Sequence, residues 1–233
     1  MPELMESVSF EPITGGRLGA VLADLRDGVV PLVRTTTRYH NPTQPFTRVH
    51  YDLITSIADL GITGLNNALI ELYDDQYRTM GFHTDQAQDL EPGSSIAIVS
   101  YYDNPVGPLR KLVVLAKETG VTSEISLEHR SVVWFSLETN RKLRHKIILD
   151  HVGPTDNRWL GLTFRRSHTF IRFVDERPYF VGGHSLTLAD DAQRKAFYSH
   201  RSNENANLDF VYPDLTYTIS QGDLMQPSVL VRP

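Results

Sequence analysis

Along the chain the β-branched and aromatic residues gather in short runs separated by turn-forming residues. The runs fall at residues 68–73, 95–102, 111–115, 131–137, 144–149 and 159–173, a composition and spacing that predict the strands of a sandwich or barrel. Breakers interrupt them at Glu91-Pro92-Gly93, Asp103-Asn104-Pro105, Val152-Gly153-Pro154 and Gly182-Gly183, where Gly and Pro mark turns. Helical periodicity is rarer. Residues 51–59 carry Leu53, Ile54 and Ile57 at spacings of three and four, and residues 188–200 show a similar pattern, so both segments are expected to be helices flanking a mainly β core.

A length of 233 residues suits one domain, because all-β units of this size are common. The content of 40% hydrophobic and 22% charged residues is that of a soluble globular chain. No internal repeat or Pro/Gly/Ser-rich linker divides it. No run approaches the roughly 18–20 apolar residues of a membrane span, and the first residues lack the basic-then-apolar order of a secretory signal. A cytoplasmic protein with no membrane partner is therefore expected.

The chain has no cysteine, which rules out disulfides, thiolate zinc sites and a cysteine nucleophile together. A metal site must use His, Asp or Glu. The net charge of -5 argues against a surface built mainly to grip phosphate backbones, although the arginines within 34–48 and 165–172 could line a local basic cleft. Gly183-His184-Ser185-Leu186-Thr187 has Thr187 where a serine-hydrolase nucleophile elbow needs its second Gly. No Gly-rich phosphate loop with its Lys is present.

Gly81-Phe82-His83-Thr84-Asp85 sets an imidazole and a carboxylate two residues apart, which on extended backbone points both to one face. An Fe(II) oxygenase site needs two His and one carboxylate on one side of the metal, with the remaining positions open. Taken alone, His-x-Asp is a poor signal in a chain with nine His and 28 acidic residues, and its plain reading is a surface turn.

Several segments in a fixed order add to it. Asn67-Ala68-Leu69-Ile70-Glu71-Leu72-Tyr73 precedes Gly81-Phe82-His83-Thr84-Asp85. Ser94-Ser95-Ile96-Ala97-Ile98-Val99-Ser100 follows, then Leu127-Glu128-His129-Arg130-Ser131, Leu143-Arg144-His145-Lys146-Ile147, and Leu162-Thr163-Phe164-Arg165. In order and separation, including the 60 positions from Asp85 to His145, this resembles the AlkB-type branch of the Fe(II)/2-oxoglutarate dioxygenases over about residues 60–170.

The resemblance implies a double-stranded β-helix (jelly-roll) core with N-terminal helices and a C-terminal extension. It assigns Fe(II) to His83, Asp85 and His145, with 2-oxoglutarate as co-substrate. It also implies use of dioxygen, release of succinate and CO2, and hydroxylation of a C–H bond, or dealkylation where the carbon is attached to nitrogen. The retained Asp85 disfavours halogenation, and His129 takes the place of a structural histidine.

For the co-substrate the resemblance points to Tyr73, Arg158 and Arg165, since a carboxylate is matched by paired guanidinium N–H donors and a hydroxyl. Three positions depart from the family. Trp159 stands where the first strand arginine belongs, with Arg158 one residue early, so that a bulge at Gly161 is needed to turn Arg158 inward. Gly161 and Glu71 each replace an Asn.

The expected organisation is a single dioxygenase domain over 1–233: a substrate-lid region at 1–66, the catalytic core at 67–174, and an extension at 175–233 packed on the core and closing over the pocket. Within the lid, Arg34, Arg38, Tyr39, His40, Phe46 and Arg48 read either as a base-stacking, phosphate-pairing surface or as an ordinary polar edge. The acidic balance favours a small-molecule or nucleotide substrate, with repair of alkylated DNA or RNA as the alternative. A non-catalytic ligand-binding relative is the reading from a different class.

Overall fold

The computed structural model describes residues 1–227, so residues 228–233 of the expected extension lie outside the described residues. The longest apolar strands form one sheet with β5 (Asn67–Tyr73) and β11 (Trp159–Arg165) at its centre. Its order is β1 (Glu11–Thr14), β2 (Arg17–Ala23), β5, β11, β6 (Ser95–Tyr102) and β9 (Ser131–Ser136), with the short β4 (Gln44–Pro45) beside β2. Every pairing is antiparallel except that of β2 with β4. A second antiparallel sheet holds β10 (Leu143–Ile148), β7 (Lys111–Ala116) and β8 (Thr122–Ser126), and a third holds β13 (Arg177–Phe180), β12 (Phe170–Val174) and β3 (Val30–Pro31). The two-residue strands β14 (Thr187–Leu188) and β15 (Tyr217–Thr218) pair in parallel.

The period-2 alternation of β5 explains how the layers assemble. Ala68, Ile70 and Leu72 face a core shared with Ala20, Leu22, Leu160, Leu162 and Phe164, covered by Leu4 of helix α1 (Pro2–Glu6) and Ile57 of α2 (Arg48–Ala58). The alternate residue Tyr73 faces the other way, into a cluster with Ile98, Tyr102, Trp159 and, from the second sheet, Leu112 and Ile147. The chain is therefore mainly β, with α1 and α2 on one side of the large sheet and the second sheet on the other.

Residues 159–173 form two strands where the apolar run suggests one. Between them Ser167 is buried; its amide donates to the Asn66 side chain at 2.7 Å and its hydroxyl to the Leu32 carbonyl at 2.6 Å, which diverts the chain into the third sheet. The run 131–137 stops at Ser136, whose hydroxyl accepts from the Thr139 amide and caps α3 (Leu137–Lys142). The expected helix at 188–200 is α4 (Asp191–Ala206), started by a reciprocal Asp190–Gln193 capping box. Among the described residues no helix is long and apolar enough to cross a membrane.

Candidate metal centre

His83 lies in the loop between β5 and β6, and His145 is the third residue of β10. The two form an isolated antiparallel bridge, exchanging backbone hydrogen bonds of 2.9 Å and 2.7 Å. Residues paired in this way project their side chains to one face, and the two rings sit 4.5 Å apart. Asp85, two positions on, brings Oδ1 to 3.7 Å from Nε2 of His83 and 3.6 Å from Nε2 of His145. Among the described residues this is the one group of three His or acidic side chains whose ligand atoms all lie within 4.8 Å of one another.

The surroundings fix each ligand in a metal-binding state. His83 Nδ1 lies 3.0 Å from the Gly81 carbonyl, so the proton belongs on Nδ1 and Nε2 is left as the free lone pair. Burial drives the pKa of His83 down against the pull of Asp85, and burial together with His83 brings His145 down to about 3, so both imidazoles are neutral at pH 7. Burial is the largest influence on Asp85 and opposes its charge, but Arg165, His145 and His83, in that order, together outweigh it and hold the carboxyl well below the usual range. Arg165 donates from Nε (3.2 Å) and Nη2 (2.8 Å) to Asp85 Oδ2, leaving Oδ1 turned toward the histidines. Two neutral imidazoles and one carboxylate form the donor set that suits a divalent non-haem iron.

The backbone of the ligand loop is held by side chains from two helices. Asn140 of α3 accepts from the Asp85 amide (3.0 Å) and donates to its carbonyl (2.8 Å). From α4, Asn205 accepts from the Thr84 amide at 2.7 Å and Glu204 from the Ala87 amide at 2.9 Å. The C-terminal segment is thereby tied to the loop that carries His83 and Asp85, a more specific role than the packing on the core and closing of the pocket expected from the sequence. Asn140, Asn205 and Glu204 carry no sequence signal beyond their polarity. Their acceptors and donors are backbone groups 55 to 121 residues away.

A cavity of about 240 Å³ opens at the three ligands, and its lining includes Arg17, Glu71, Tyr73, Thr163, Arg165 and Arg201. Of the residues expected to bind the co-substrate, Tyr73 and Arg165 are on its wall. Arg158 is not: half exposed, it pairs with Asp103 at 2.6 Å. The bulge at Gly161 that would have turned Arg158 inward is also absent, because β11 keeps unbroken register with β5 and β6 from Trp159 onward. In that register Trp159, Gly161, Thr163 and Arg165 share one face. Gly161 is there because the Trp159 ring lies across it, where any Cβ would collide with the indole. A tryptophan thus fills the space in which an arginine was sought.

Sequence reading missed Arg17, on β2. It donates to Glu71 from Nε (2.9 Å) and from Nη2, and to Thr37 Oγ1 at 3.1 Å. Glu71 also accepts from the Tyr73 hydroxyl at 2.6 Å and from the Tyr39 hydroxyl at 3.4 Å. The other missed residue is Arg201, on α4. His129 does take a structural position, accepting from the Tyr102 amide at 3.0 Å.

The lid residues do not form one surface. Arg34 is buried, bonded to Asp89 and to the carbonyls of Leu215 and Tyr217. Tyr39 and Phe46 are buried in the core, while Arg38, His40 and Arg48 are exposed. Three of these six aromatic or cationic residues are therefore taken up in packing, which leaves only Arg38, His40 and Arg48 for the base-stacking surface.

No protein-family model matches the chain. No curated protein matches it either. Among solved structures it is similar to a crystal structure of a Pseudomonas putida prolyl-4-hydroxylase, with 15% sequence identity and a TM-score of 0.41, over 67% of this chain and 77% of that one.

Proposed function

We propose that the protein is an Fe(II)- and 2-oxoglutarate-dependent oxygenase that hydroxylates, or oxidatively dealkylates, a small-molecule or nucleotide substrate. The observation that carries this reading is the convergence of neutral His83, neutral His145 and ionised Asp85 at the mouth of one cavity. Its finer form, an AlkB-type enzyme whose two larger sheets are the walls of a double-stranded β-helix, is supported by the order of the motifs from residue 67 to Arg165. When bound, iron would supply the open coordination positions at which a keto acid and dioxygen react.

The chain's own residues do the rest. Arg165 keeps Asp85 ionised and turned toward the metal position. Asn140 and Asn205 hold the loop that carries His83 and Asp85, and the bridge between His83 and His145 keeps both rings on one side. The donors at Tyr73 and Arg17 are already engaged by Glu71, so the carboxylate of a co-substrate reaching that end competes with Glu71 for them.

Anaerobic titration of the protein with Fe(II) and 2-oxoglutarate tests the reading. A visible charge-transfer band in the wild type that is lost in His145→Ala is the expected result. Iron binding without the band would make the chain a ligand-binding relative, and absence of iron binding by the folded protein would overturn the metal site.

A further inference from the structure

Two guanidinium groups line the cavity that holds His83, Asp85 and His145, each with a donor to spare. Arg165 is buried, and Asp85 takes its Nε and Nη2, but its Nη1 is enclosed with no hydrogen-bond partner. Arg201, contributed by α4, lines the cavity beside His83, Asp85 and His145. It is partly buried and forms no hydrogen bond or ion pair among the described residues, and its Nε is likewise enclosed and unpartnered. The nearby carboxylate on its own helix, Glu204, is occupied by the Ala87 amide and by the Tyr212 hydroxyl at 2.7 Å.

An arginine stays charged in a protein, and a buried donor without an acceptor costs about 1–3 kcal/mol, more when it is charged. Two residues that line one cavity therefore each carry such a donor, and the described residues supply no acceptor for either. The cavity's charge agrees: its three arginines, Arg17, Arg165 and Arg201, outnumber its two carboxylates, Glu71 and Asp85, before any divalent metal adds to the excess. A planar group with two oxygens suits donors from two guanidinium planes.

We propose that Arg201 and the free Nη1 of Arg165 form a carboxylate-binding subsite beside the metal position, with Arg201 as the residue that makes the pocket select an anionic small molecule. The carboxylate belongs either to the keto acid or to the molecule oxidised. The placement beside a metal rests on the proposed function, but the anion subsite itself does not require metal to be bound.

Isothermal titration of the whole protein separates these possibilities, with Mn(II) as a redox-inert metal and with 2-oxoglutarate and succinate as probes. Wild type, Arg201→Gln and Arg201→Lys are compared. Because Arg201 makes no hydrogen bond, the Gln variant removes none and its thermal melt should match the wild type.

The expected result is a roughly 10- to 100-fold loss of carboxylate affinity in Arg201→Gln, the size of one charge-assisted hydrogen bond, with unchanged Mn(II) affinity and partial recovery in Arg201→Lys. Loss confined to 2-oxoglutarate assigns the subsite to the co-substrate. Loss confined to succinate added to the Mn(II)–2-oxoglutarate complex assigns it to the substrate. Affinities for both probes within about twofold of wild type, or no binding of either probe to the wild type, overturn the subsite. Failure of Mn(II) to bind the wild type removes the proposed function alone, since succinate titration of the metal-free protein still tests Arg201.

Discussion

The cavity has an arginine-rich group at each end, and the two differ in what satisfies the charge. At one end Arg17 is closed into a circuit: Glu71 takes two of its donors, Thr37 a third, and the phenols of Tyr73 and Tyr39 fill the remaining acceptor capacity of Glu71. At the other end Asp85 answers only part of Arg165, no group among the described residues answers Arg201, and two imidazole lone pairs are left aimed at the same space. Both ends are buried and charged, so burial does not distinguish them. Saturation does: buried polar groups in folded proteins are nearly all paired, and the end that leaves donors and lone pairs open is the end built for something from outside the chain.

The largest effect is expected where that difference is removed at its centre. Asp85→Ala deletes a metal ligand and strands Arg165 in a buried position. Mn(II) binding by calorimetry should fall below detection, and the metal-free protein should lose about 3–5 kcal/mol in urea unfolding, the usual cost of breaking a buried pair from one side. Retained metal affinity in this variant would mean that the metal position is not set by His83, Asp85 and His145.

A smaller effect follows from opening the closed end. Glu71→Ala frees Arg17, Tyr73 and Tyr39 toward the cavity, turning a saturated group into one resembling the metal end. Succinate affinity should rise by roughly tenfold, the worth of a new charge-assisted contact, while Mn(II) affinity stays as it was. The protein should also become less stable, because Arg17 loses its counter-charge. If succinate affinity does not change, the Arg17 end is closed by its packing and not merely by Glu71.

The same contrast explains how much of the site could be read from the sequence. The convergence of His83, Asp85 and His145 was legible because a metal site would dictate these residue types, and backbone pairing brings two extended segments together. Tyr73 and Arg165 were legible as neighbours of those segments on central strands, where alternation fixes the facing. Arg17 was missed although Gly15-Gly16 mark the hairpin that opens its strand, because its partner Glu71 lies 54 residues away and nothing in the local pattern pairs the two. Arg201 sits in a helix whose pattern was recognised, but which face of α4 meets the cavity depends on the side-chain hydrogen bonds of Glu204 and Asn205 to the ligand loop, and no periodicity encodes those. Strand β8 escaped for a simpler reason: every residue of Thr122–Ser126 is exposed, so no apolar alternation marks it.

Arg158 provides the smallest predicted effect. Matching letters to a family pattern put it in the co-substrate site on condition that a bulge restored its facing, yet Trp159 pairs directly with Tyr73 and Tyr102 and the strand continues in register. The indole then occupies the inward position, and Arg158, one residue earlier, must point away, where it meets Asp103 at the surface. An exposed pair of this kind contributes about 0–1 kcal/mol. Arg158→Ala should therefore leave carboxylate and Mn(II) affinities unchanged and shift unfolding by no more than about 0.5 kcal/mol. A marked loss of 2-oxoglutarate affinity in this variant, with Arg201→Gln silent, would reverse the assignment and place the anion contact on the strand arginine instead of on α4.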